Sequence, residues 1–417
     1  MAGIQPVVMI PDENARSYAE SIAPAREEPQ GPLLHTTDEM RRLATPWRVS
    51  MARAKLLNPS QIPQGIVLDP ACGSATQLAA LCTALNRPGL GVELSGAAAP
   101  LAAVNLKHCA LWAENDWGES SRVMWGDGND AESILKTYQQ NIGSPVEIAL
   151  LHIDPARPQD AQQHTLDEMQ PRLDHLLLSW SSFLPKNPAL ILDLSPRLSD
   201  AQRIQVDDIV SSIWGGVART WQWMTQGRGR IDRLSLWVGP AASVHQNRLV
   251  RLSKKGEVSL LEGSNESSIV DKYQIELGQY LTIVDPSLIS SGLAESWRKI
   301  AVNSETSGWL KLAGRRPIFI SDEAISEMDS VLNFVQISGR AVETVSEVSM
   351  ESIGNLAKSA NNAGISSLKL RCKIDPDLQP TLQSAIDREL REYSSESTSS
   401  LGFITESGDG YVICIQP

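Results

Sequence analysis

The chain has 417 residues and a mass of 45.5 kDa, enough for two or three domains whose cores need no disulfide bonds. Its formal net charge of -12 and its pI of about 5.1 exclude a uniformly basic nucleic-acid binder, but not a local basic surface. Five cysteines without a Cys-x-x-Cys pair indicate neither a disulfide scaffold nor a zinc cluster, so we expect no metal.

The sequence also argues against a membrane protein. No stretch reaches the roughly 18 consecutive apolar residues that a membrane helix needs. The N-terminus lacks the cationic start of a secretory signal and meets acids and a proline early. We therefore expect a cytoplasmic protein with no membrane partner. The sequence predicts no particular oligomeric state.

Residues 1–36 are predicted to form an N-terminal arm, loose or partly helical, because prolines are frequent there. The segment that begins at Thr37 has an N-cap candidate, early acids and later bases, which predicts helix. Pro46 is expected to split this segment into two helices.

Short apolar runs then alternate with helical segments as far as residue 240. The predicted strands are 65–71, 89–95, 122–128, 146–156 and 188–196, and the predicted helices are 75–85, 97–112, 169–184 and 200–214. This alternation predicts an α/β fold with a doubly wound, Rossmann-like parallel sheet. Segments 218–226 and 231–240 are predicted to close the sheet as an antiparallel hairpin.

The pattern changes after Pro240, where we place a domain boundary, with a weaker one near Ser321. The core domain is then 37–240, a connecting subdomain is 241–320, and a smaller α+β domain is 321–417. A helix is predicted near 286–301, and the chain is predicted to end in a hairpin over 401–417 with a Ser-Gly-Asp-Gly turn.

Acidic residues follow four successive predicted strands of the core. They are Asp69, Glu93, Asp127 and Asp154. Ligands of doubly wound sheets bind at the carboxyl ends of the strands, and an acid about 20 residues beyond the first turn is placed to bind ribose hydroxyls. Each acid alone could simply cap the next helix. Together they indicate a ligand that contains a nucleoside.

The turn after the first of these strands reads Asp69-Pro70-Ala71-Cys72-Gly73-Ser74-Ala75-Thr76. A tight turn before a helix lets the backbone approach a ligand closely. A dinucleotide would favour G-x-G-x-x-G, and this turn has only one glycine, so S-adenosylmethionine suits it better. The candidate cofactor-binding residues are Asp69, Cys72, Gly73, Thr76, Glu93 and Asp127.

This arrangement resembles the class I S-adenosylmethionine-dependent methyltransferases. DPACGSAT is similar to their first motif, GVELS to the ribose-binding acid, GDG to the base-contacting segment and HIDPARP to the catalytic loop. IDRLSLWVGP matches their antiparallel last strand. Ala75 departs from the pattern, since many members have glycine there; a methyl group narrows the turn without necessarily blocking the cofactor.

The resemblance extends beyond the core. HIDPARP resembles the DPARR loop of bacterial and archaeal methyltransferases that carry a C-terminal THUMP-like domain. Segments similar to that family follow in the same order from Thr37 to the C-terminus: Ala44-Thr45-Pro46 with Ala52-Arg53-Ala54, GQYLTIVDPSLISSGL, PIFISDE and LKLRCKIDPDLQPTL. The resemblance implies a THUMP-like domain at 321–417, S-adenosylmethionine as cofactor and RNA, with tRNA as one candidate, as substrate.

The loop after the fourth strand supplies the candidate catalytic residues, Asp154, Pro155 and Arg157. Asp154-Pro155 fits half of the motif that grips an amino group, but no aromatic residue follows it, which weakens methylation of an exocyclic amine. Arg157 could stack on a base, hold a phosphate or pair with Asp154. His152 is expected to be a core residue rather than a base. The sequence argues against a cysteine nucleophile, because no cysteine lies near this loop in sequence.

Eight basic residues and one acid lie between Arg219 and Lys255, and Trp221 and Trp223 stand beside them. Bases with stacking aromatics are typical of single-strand nucleic-acid binding, so RNA contact through 219–255 is one interpretation. The alternative is that the tryptophans face the core and the bases are simply solvated. Residues 258–417 carry 22 acids against 13 bases, which disfavours RNA binding by the C-terminal region.

Two other functions stay open. The same core would suit a methyltransferase of a small molecule or a protein, or a non-catalytic scaffold that keeps the fold.

Overall fold

The structure of the protein is a computed structural model. It describes residues 5–155, 166–227, 229–264, 271–272, 275–304, 306–310, 316–393, 400–408 and 410–417. The chain forms two compact units. The first comprises Met1–Met224, Asp232–Arg248 and Leu252–Val258, and the second comprises Thr225–Ile231, Leu249–Arg251 and Ser259–Pro417. The domain boundaries near residues 240 and 321 stay predictions.

In the described part of the chain, ten strands precede residue 240. They are β1 Val7–Met9, β2 Arg26–Glu27, β3 Leu33–Leu34, β4 Ile66–Asp69, β5 Gly89–Glu93, β6 Arg122–Trp125, β7 Ile148–Ile153, β8 Leu190–Leu194, β9 Arg219–Thr225 and β10 Arg233–Val238. The helices of this part are α1 Glu13–Ile22, α2 Asp38–Leu43, α3 Trp47–Ala54, α4 Thr76–Leu85, α5 Ala99–Trp112, α6 Ala131–Ile142, α7 Leu173–Ser181 and α8 Asp200–Trp214.

The first unit is built on one large mixed sheet. From β1 to β9 the strand order is β1-β6-β5-β4-β7-β8-β10-β9. Strands β4 to β8 are mutually parallel, as predicted, and β10 runs antiparallel to both β8 and β9. Every residue of β4, β7 and β8 is buried, which explains their continuous apolar runs. The strand order reverses between β4 and β7, so a crevice is expected at their carboxyl ends.

The N-terminal arm is more ordered than its prolines indicate. Helix α1 confirms the partly helical half of that prediction, but strand β1 was not predicted and pairs antiparallel with β6. Ala19 and Ala23 pack against Leu101 and Val104 of α5, so the arm is part of the core. Frequent prolines nearby do not prevent Val7–Met9 from pairing, because this strand lies at the edge of the sheet.

The two helices predicted from Thr37 onward are confirmed. Thr37 caps α2, since its hydroxyl accepts a hydrogen bond from the N–H of Met40 at 3.2 Å. Pro46 precedes the first residue of α3, where a missing N–H costs no hydrogen bond.

The strands that the structure describes after residue 240 are β11 Asn247–Leu252, β12 Val258–Gly263, β13 Asp271–Lys272, β14 Tyr280–Val284, β15 Gly308–Leu310, β16 Ile318–Ser321, β17 Val335–Val345, β18 Ile365–Leu370, β19 Ser400–Glu406 and β20 Tyr411–Ile415. The helices there are α9 Ser287–Ser290, α10 Ala294–Ala301, α11 Asp329–Leu332, α12 Ile353–Asn362 and α13 Gln379–Tyr393.

The second unit is α+β. Its mixed sheet has the order β13-β15-β16-β14-β17-β20-β19-β18. Strands β19 and β20 form the predicted C-terminal hairpin, and α9 and α10 occupy the segment predicted as a helix near 286–301. Helices α12 and α13 pack on β18 through a buried apolar cluster. Across the described parts of both units, no helix has the length and apolar character to cross a membrane.

One buried amide joins distant parts of the first unit. The side chain of Asn105, on α5, is fully buried. Its Oδ1 accepts a hydrogen bond from the N–H of His35 at 2.6 Å, and its Nδ2 donates to the carbonyl oxygens of His35 and Ser74 at 2.9 and 3.1 Å. Asn105 therefore fixes the chain before α2 against the turn after β4.

Asn105→Ala is expected to lower the free energy of unfolding by about 2–3 kcal/mol, because it leaves buried backbone groups without partners. Chemical denaturation of the purified variant measures the change. Asn141→Ala serves as the control, because Asn141 is exposed and its loss should cost less than about 0.5 kcal/mol. Equal stabilities for the two variants would contradict the anchoring role.

Candidate functional site

A cavity of about 930 Å³ lies at the carboxyl ends of the parallel strands of the first unit. Its lining includes all the candidate site residues that the structure describes. They are Asp69, Cys72, Gly73, Thr76, Glu93, Asp127, Asp154 and Pro155. Arg157 lies outside the described residues. The structure thus brings together side chains that are up to 86 positions apart in sequence (155 − 69), while their functional roles stay predictions.

The turn between β4 and α4 is tightly folded. Gly73 has a φ of +53°, and no atom lies within 4 Å of the place where a β-carbon would stand. Ala75 also adopts the left-handed conformation, with a φ of +60°, which costs an alanine about 1 kcal/mol. The methyl group of Ala75 is fully buried and does not line the cavity, so this departure from the family pattern leaves the cavity open.

Glu93 ends β5 on the cavity wall and is partly exposed. Its Oε1 accepts a hydrogen bond from the N–H of Ser95 at 2.7 Å, and the N–H of Gly73 also supports the carboxylate. Burial raises the pKa of Glu93 above its usual value, and these backbone N–H groups oppose the rise. Glu93 therefore joins the turn after β4 to the end of β5 while it still faces the cavity.

Asp127 follows β6 and stabilises its own loop. Its Oδ1 accepts hydrogen bonds from the backbone N–H and the side-chain amide of Asn129, at 2.9 and 3.0 Å. The next residue, Gly128, passes so close to the chain that a β-carbon there would stand 2.0 Å from the carbonyl oxygen of Pro70. This contact requires glycine and packs the Asp127 loop against the turn after β4.

A cluster of buried, hydrogen-bonded ionisable side chains lies next to the turn after β4. Nδ1 of His152 is 2.7 Å from Oδ2 of Asp69, and Nε2 of His152 is 3.2 Å from Oδ2 of Asp193. Asp193 in turn pairs with both terminal nitrogens of Arg53, one of which also donates to the Oε1 of Gln77 at 3.0 Å. His152 is thus a buried residue, as expected, and it also lies between two carboxylates, which was not expected.

Asp69 and Asp193 are hydrogen-bonded within this buried cluster, and each is 2% exposed. Oδ1 of Asp69 accepts the N–H of Ala71 at 3.1 Å while Oδ2 meets His152, so this carboxylate orders the turn as well as lining the cavity. Asp193 does not line the cavity. Burial alone would raise the pKa of Asp193, but Arg53 and the hydrogen bond to His152 hold it well below its usual range.

Asp154 and Pro155 lie at the cavity, immediately after β7. Burial and the negative charge of Asp193 raise the pKa of Asp154, and the cations Arg233, His152 and Arg53 oppose that rise. Arg233, on β10, lines the same cavity. Among the described basic residues of the 219–255 run, only Arg233 lines the cavity with a candidate catalytic group.

Two lining features have no clear sequence signal. Residues 37–45, around α2, form one side of the cavity, including Arg42 and Met40. Leu94, directly after Glu93, lines the cavity although it is 61% exposed. The position of Leu94 directly after Glu93 was the only sequence signal for it. Leucine as a residue type does not indicate a binding site.

The 219–255 run offers little of the surface that RNA stacking needs. Trp221 and Trp223 are only 9% and 3% exposed, so the core-facing alternative is the correct one. Arg219 donates to Asp207 and to backbone carbonyl groups, and Arg248 is buried over the ring of Trp237. The exposed bases of the described part are Arg230, Lys254 and Lys255. Arg228 lies outside the described residues.

In the described ranges, no group of three or more His, Cys, Asp or Glu side chains is placed to hold a metal ion. All five cysteines are free and buried. Burial and the nearby charges of Asp69 and Glu93 raise the pKa of the Cys72 thiol well above its usual value. A thiol in that state is a poor nucleophile.

No family model and no curated protein matches the sequence. Solved structures do match. A candidate class I S-adenosylmethionine-dependent methyltransferase from Listeria monocytogenes is 14% identical, with a TM-score of 0.33 over 50% of this chain and 64% of that one. A cofactor-bound protein from MTB is 16% identical, with a TM-score of 0.32 over 54% of this chain and 88% of that one.

A candidate RNA methyltransferase from Pyrococcus horikoshii is 13% identical, with a TM-score of 0.32 over 54% of this chain and 96% of that one. This chain therefore spans less than two thirds of the Listeria protein and most of the other two. Similarity at this level does not establish a shared activity.

The cysteines give a direct check of the site chemistry. We expect no thiol of the native protein to react within minutes with an aromatic disulfide reagent at pH 8, because all five are buried. Five thiols should react after unfolding in guanidinium chloride, which serves as the internal control. Rapid labelling of one thiol that maps to Cys72 would reopen the possibility of a cysteine nucleophile.

Proposed function

We propose that the protein is an S-adenosylmethionine-dependent methyltransferase. The observation that carries the proposal is the cavity at the strand ends, which collects Asp69, Glu93, Asp127 and Asp154 from four parallel strands. Its volume of about 930 Å³ is within the range of pockets that bind nucleoside-sized ligands. The parallel order β6-β5-β4-β7-β8, closed by the antiparallel β10, agrees with the class I methyltransferase resemblance.

Glu93 is the proposed ligand of the ribose hydroxyl groups. Its carboxylate faces the cavity, and its backbone partners hold it in place there. The exposed side chain of Leu94 offers an apolar surface on which the adenine base can lie, and the Asp127 loop closes the other side. Cys72, Gly73 and Thr76 are proposed to contact the cofactor through the turn, where the backbone comes closest to the ligand.

Asp154 and Pro155 are proposed to orient the acceptor, together with Arg157. When bound, the cofactor supplies an activated methyl group, so the protein needs chiefly to hold the nucleophile in line. Asp154 is suited to this because it lies at the cavity and carries a carboxylate that can accept a hydrogen bond from an N–H or O–H of the acceptor.

RNA, with tRNA as one candidate, is proposed as the acceptor on the resemblance alone, as is the assignment of residues 321–417 to a THUMP-like domain. The burial of Trp221 and Trp223 removes the stacking surface that first supported contact through 219–255. That observation favours the second candidate, a methyltransferase of a small molecule, whose acceptor needs only the cavity.

Replacement of Glu93 tests the cofactor assignment. Glu93→Ala should weaken the binding of S-adenosylmethionine roughly 30- to 100-fold, because two hydrogen bonds to a charged carboxylate contribute about 2–3 kcal/mol. Isothermal titration calorimetry measures the affinity. Glu119→Ala, at an exposed acid, should leave it unchanged. If the native protein binds no S-adenosylmethionine, the proposed function is wrong. If the two variants bind it equally well, the role proposed for Glu93 is wrong.

The acceptor class can be separated in one experiment. We incubate the protein with S-adenosylmethionine that carries a labelled methyl group and with either total RNA or a small-metabolite extract. The label should enter RNA and appear in a modified nucleoside after digestion and mass spectrometry. Label only in the metabolite extract would replace RNA by a small molecule, and binding without transfer to either pool would favour a scaffold.

A further inference from the structure

His152 lies between two carboxylates in the interior of the first unit. Its ring nitrogens face Asp69 at 2.7 Å and Asp193 at 3.2 Å, and its side chain is 1% exposed. The three residues come from β7, β4 and β8, so the imidazole bridges the strands on both sides of its own. A neutral imidazole can donate only one ring hydrogen bond, whereas this ring has an acceptor at each nitrogen.

The two carboxylates have the partners of ionised groups. Both oxygens of Asp193 accept from the guanidinium of Arg53, which cannot lose its proton. Oδ1 of Asp69 accepts a hydrogen bond from the N–H of Ala71, as a carboxylate oxygen without a proton does. An ionised carboxylate only accepts hydrogen bonds, so each ring nitrogen of His152 must donate. That arrangement describes an imidazolium.

The electrostatics agree with this geometry. Burial alone would lower the pKa of His152, but the charges of Asp69 and Asp193 and the hydrogen bonds to them outweigh burial and raise it to about 10. His152 and Arg53 then supply two positive charges against the two aspartates. The buried group is neutral overall, which is how charges are tolerated in an interior.

A third carboxylate, that of Asp154, lies near this neutral cluster but is not part of it. Asp154 follows His152 by two residues and lines the cavity. The charged groups that act on it are Asp193, which disfavours its ionised form, and Arg233, His152 and Arg53, which favour that form. Loss of the charge on His152 would leave the cluster net negative and make the ionised form of Asp154 less favourable.

We propose that His152 is a positioning residue that remains an imidazolium at neutral pH, and that its charge favours the ionised form of Asp154 for the acceptor. The first part depends only on the hydrogen bonds of the cluster, and the second rests on the proposed function. In the transfer, a bond forms between the acceptor atom and the methyl carbon, the carbon–sulfur bond breaks with its electron pair left on sulfur, and Asp154 receives the proton of the acceptor.

Nitrogen-15 NMR of the full-length protein, labelled at histidine, tests the first part without any ligand. At pH 7.5 the ring of His152 should have a proton on both nitrogens, and it should keep both at pH 8.5. The resonance is assigned by its loss in His152→Gln and its retention in His175→Gln, a change at an exposed histidine of α7. A ring with a single proton at pH 7.5 would overturn the proposal.

If His152→Gln does not fold, the other histidines are replaced one at a time, and the resonance that none of these replacements removes is assigned to His152. If the variant folds, its stability gives a second measurement. The folded-state pKa is above the unfolded value of about 6.5, so the charged bridge stabilises fully below pH 6.5 and is lost as the pH rises through about 10. The difference in stability between native protein and variant should shrink over that interval; a constant difference would indicate packing alone.

Carbon-13 NMR of the aspartate carboxyl groups tests the second part, with Asp154 assigned by Asp154→Asn. His152→Gln should raise the pKa of Asp154 by roughly one unit. Adding Asp193→Asn removes one negative charge and should return the pKa of Asp154 to the native value or below. An Asp154 pKa that stays the same in His152→Gln would disprove the electrostatic role.

These outcomes separate the inference from the proposed function. If S-adenosylmethionine does not bind but both NMR results hold, the enzyme assignment fails while the imidazolium stands. If S-adenosylmethionine binds and methyl transfer occurs but His152 has a single proton, the positioning role fails alone.

Discussion

The buried ion cluster of Asp69, His152, Asp193 and Arg53 is the interaction on which the first unit depends. It ties the ends of β4, β7 and β8 to helix α3, and residues at the ends of β4 and β7 line the cavity. Four charges in an interior cost several kcal/mol each to desolvate and are tolerated only when every partner is present. The turn that would approach a cofactor and the loop that would hold an acceptor are therefore fixed by one set of contacts.

Much of this architecture could be predicted from the sequence, for a clear reason. The apolar runs of β4, β7 and β8 are continuous because both faces of these strands are covered, and helices separate them at regular intervals. Parallel strands in such a sheet end at the same edge, so acids that follow successive strands must lie near one another. That is why Glu93, Asp127 and Asp154 meet at one cavity although they are dozens of residues apart.

The rest depended on contacts that no local pattern contains. Arg53 and Asp193 are 140 residues apart, and neither flanking sequence indicates its partner. Asp69 lines the cavity as its position predicts, but its hydrogen bond to His152, 83 residues away, has no signal in the sequence. Trp221 and Trp223 alternate on a strand whose covered face could not be assigned before the sheet order was known, so their burial could be stated only as an alternative. The strand β1 was missed because edge pairing with β6 is a long-range contact.

The central claim is that the cavity at the ends of β4 to β7 binds S-adenosylmethionine, and a crystal structure of the protein grown with S-adenosylhomocysteine tests it most directly. The account predicts the nucleoside in that cavity, with the ribose hydroxyl groups within hydrogen-bond distance of the Glu93 carboxylate and the adenine against Leu94. A nucleoside bound elsewhere on the protein, or a cavity that holds only solvent at saturating ligand, would contradict it.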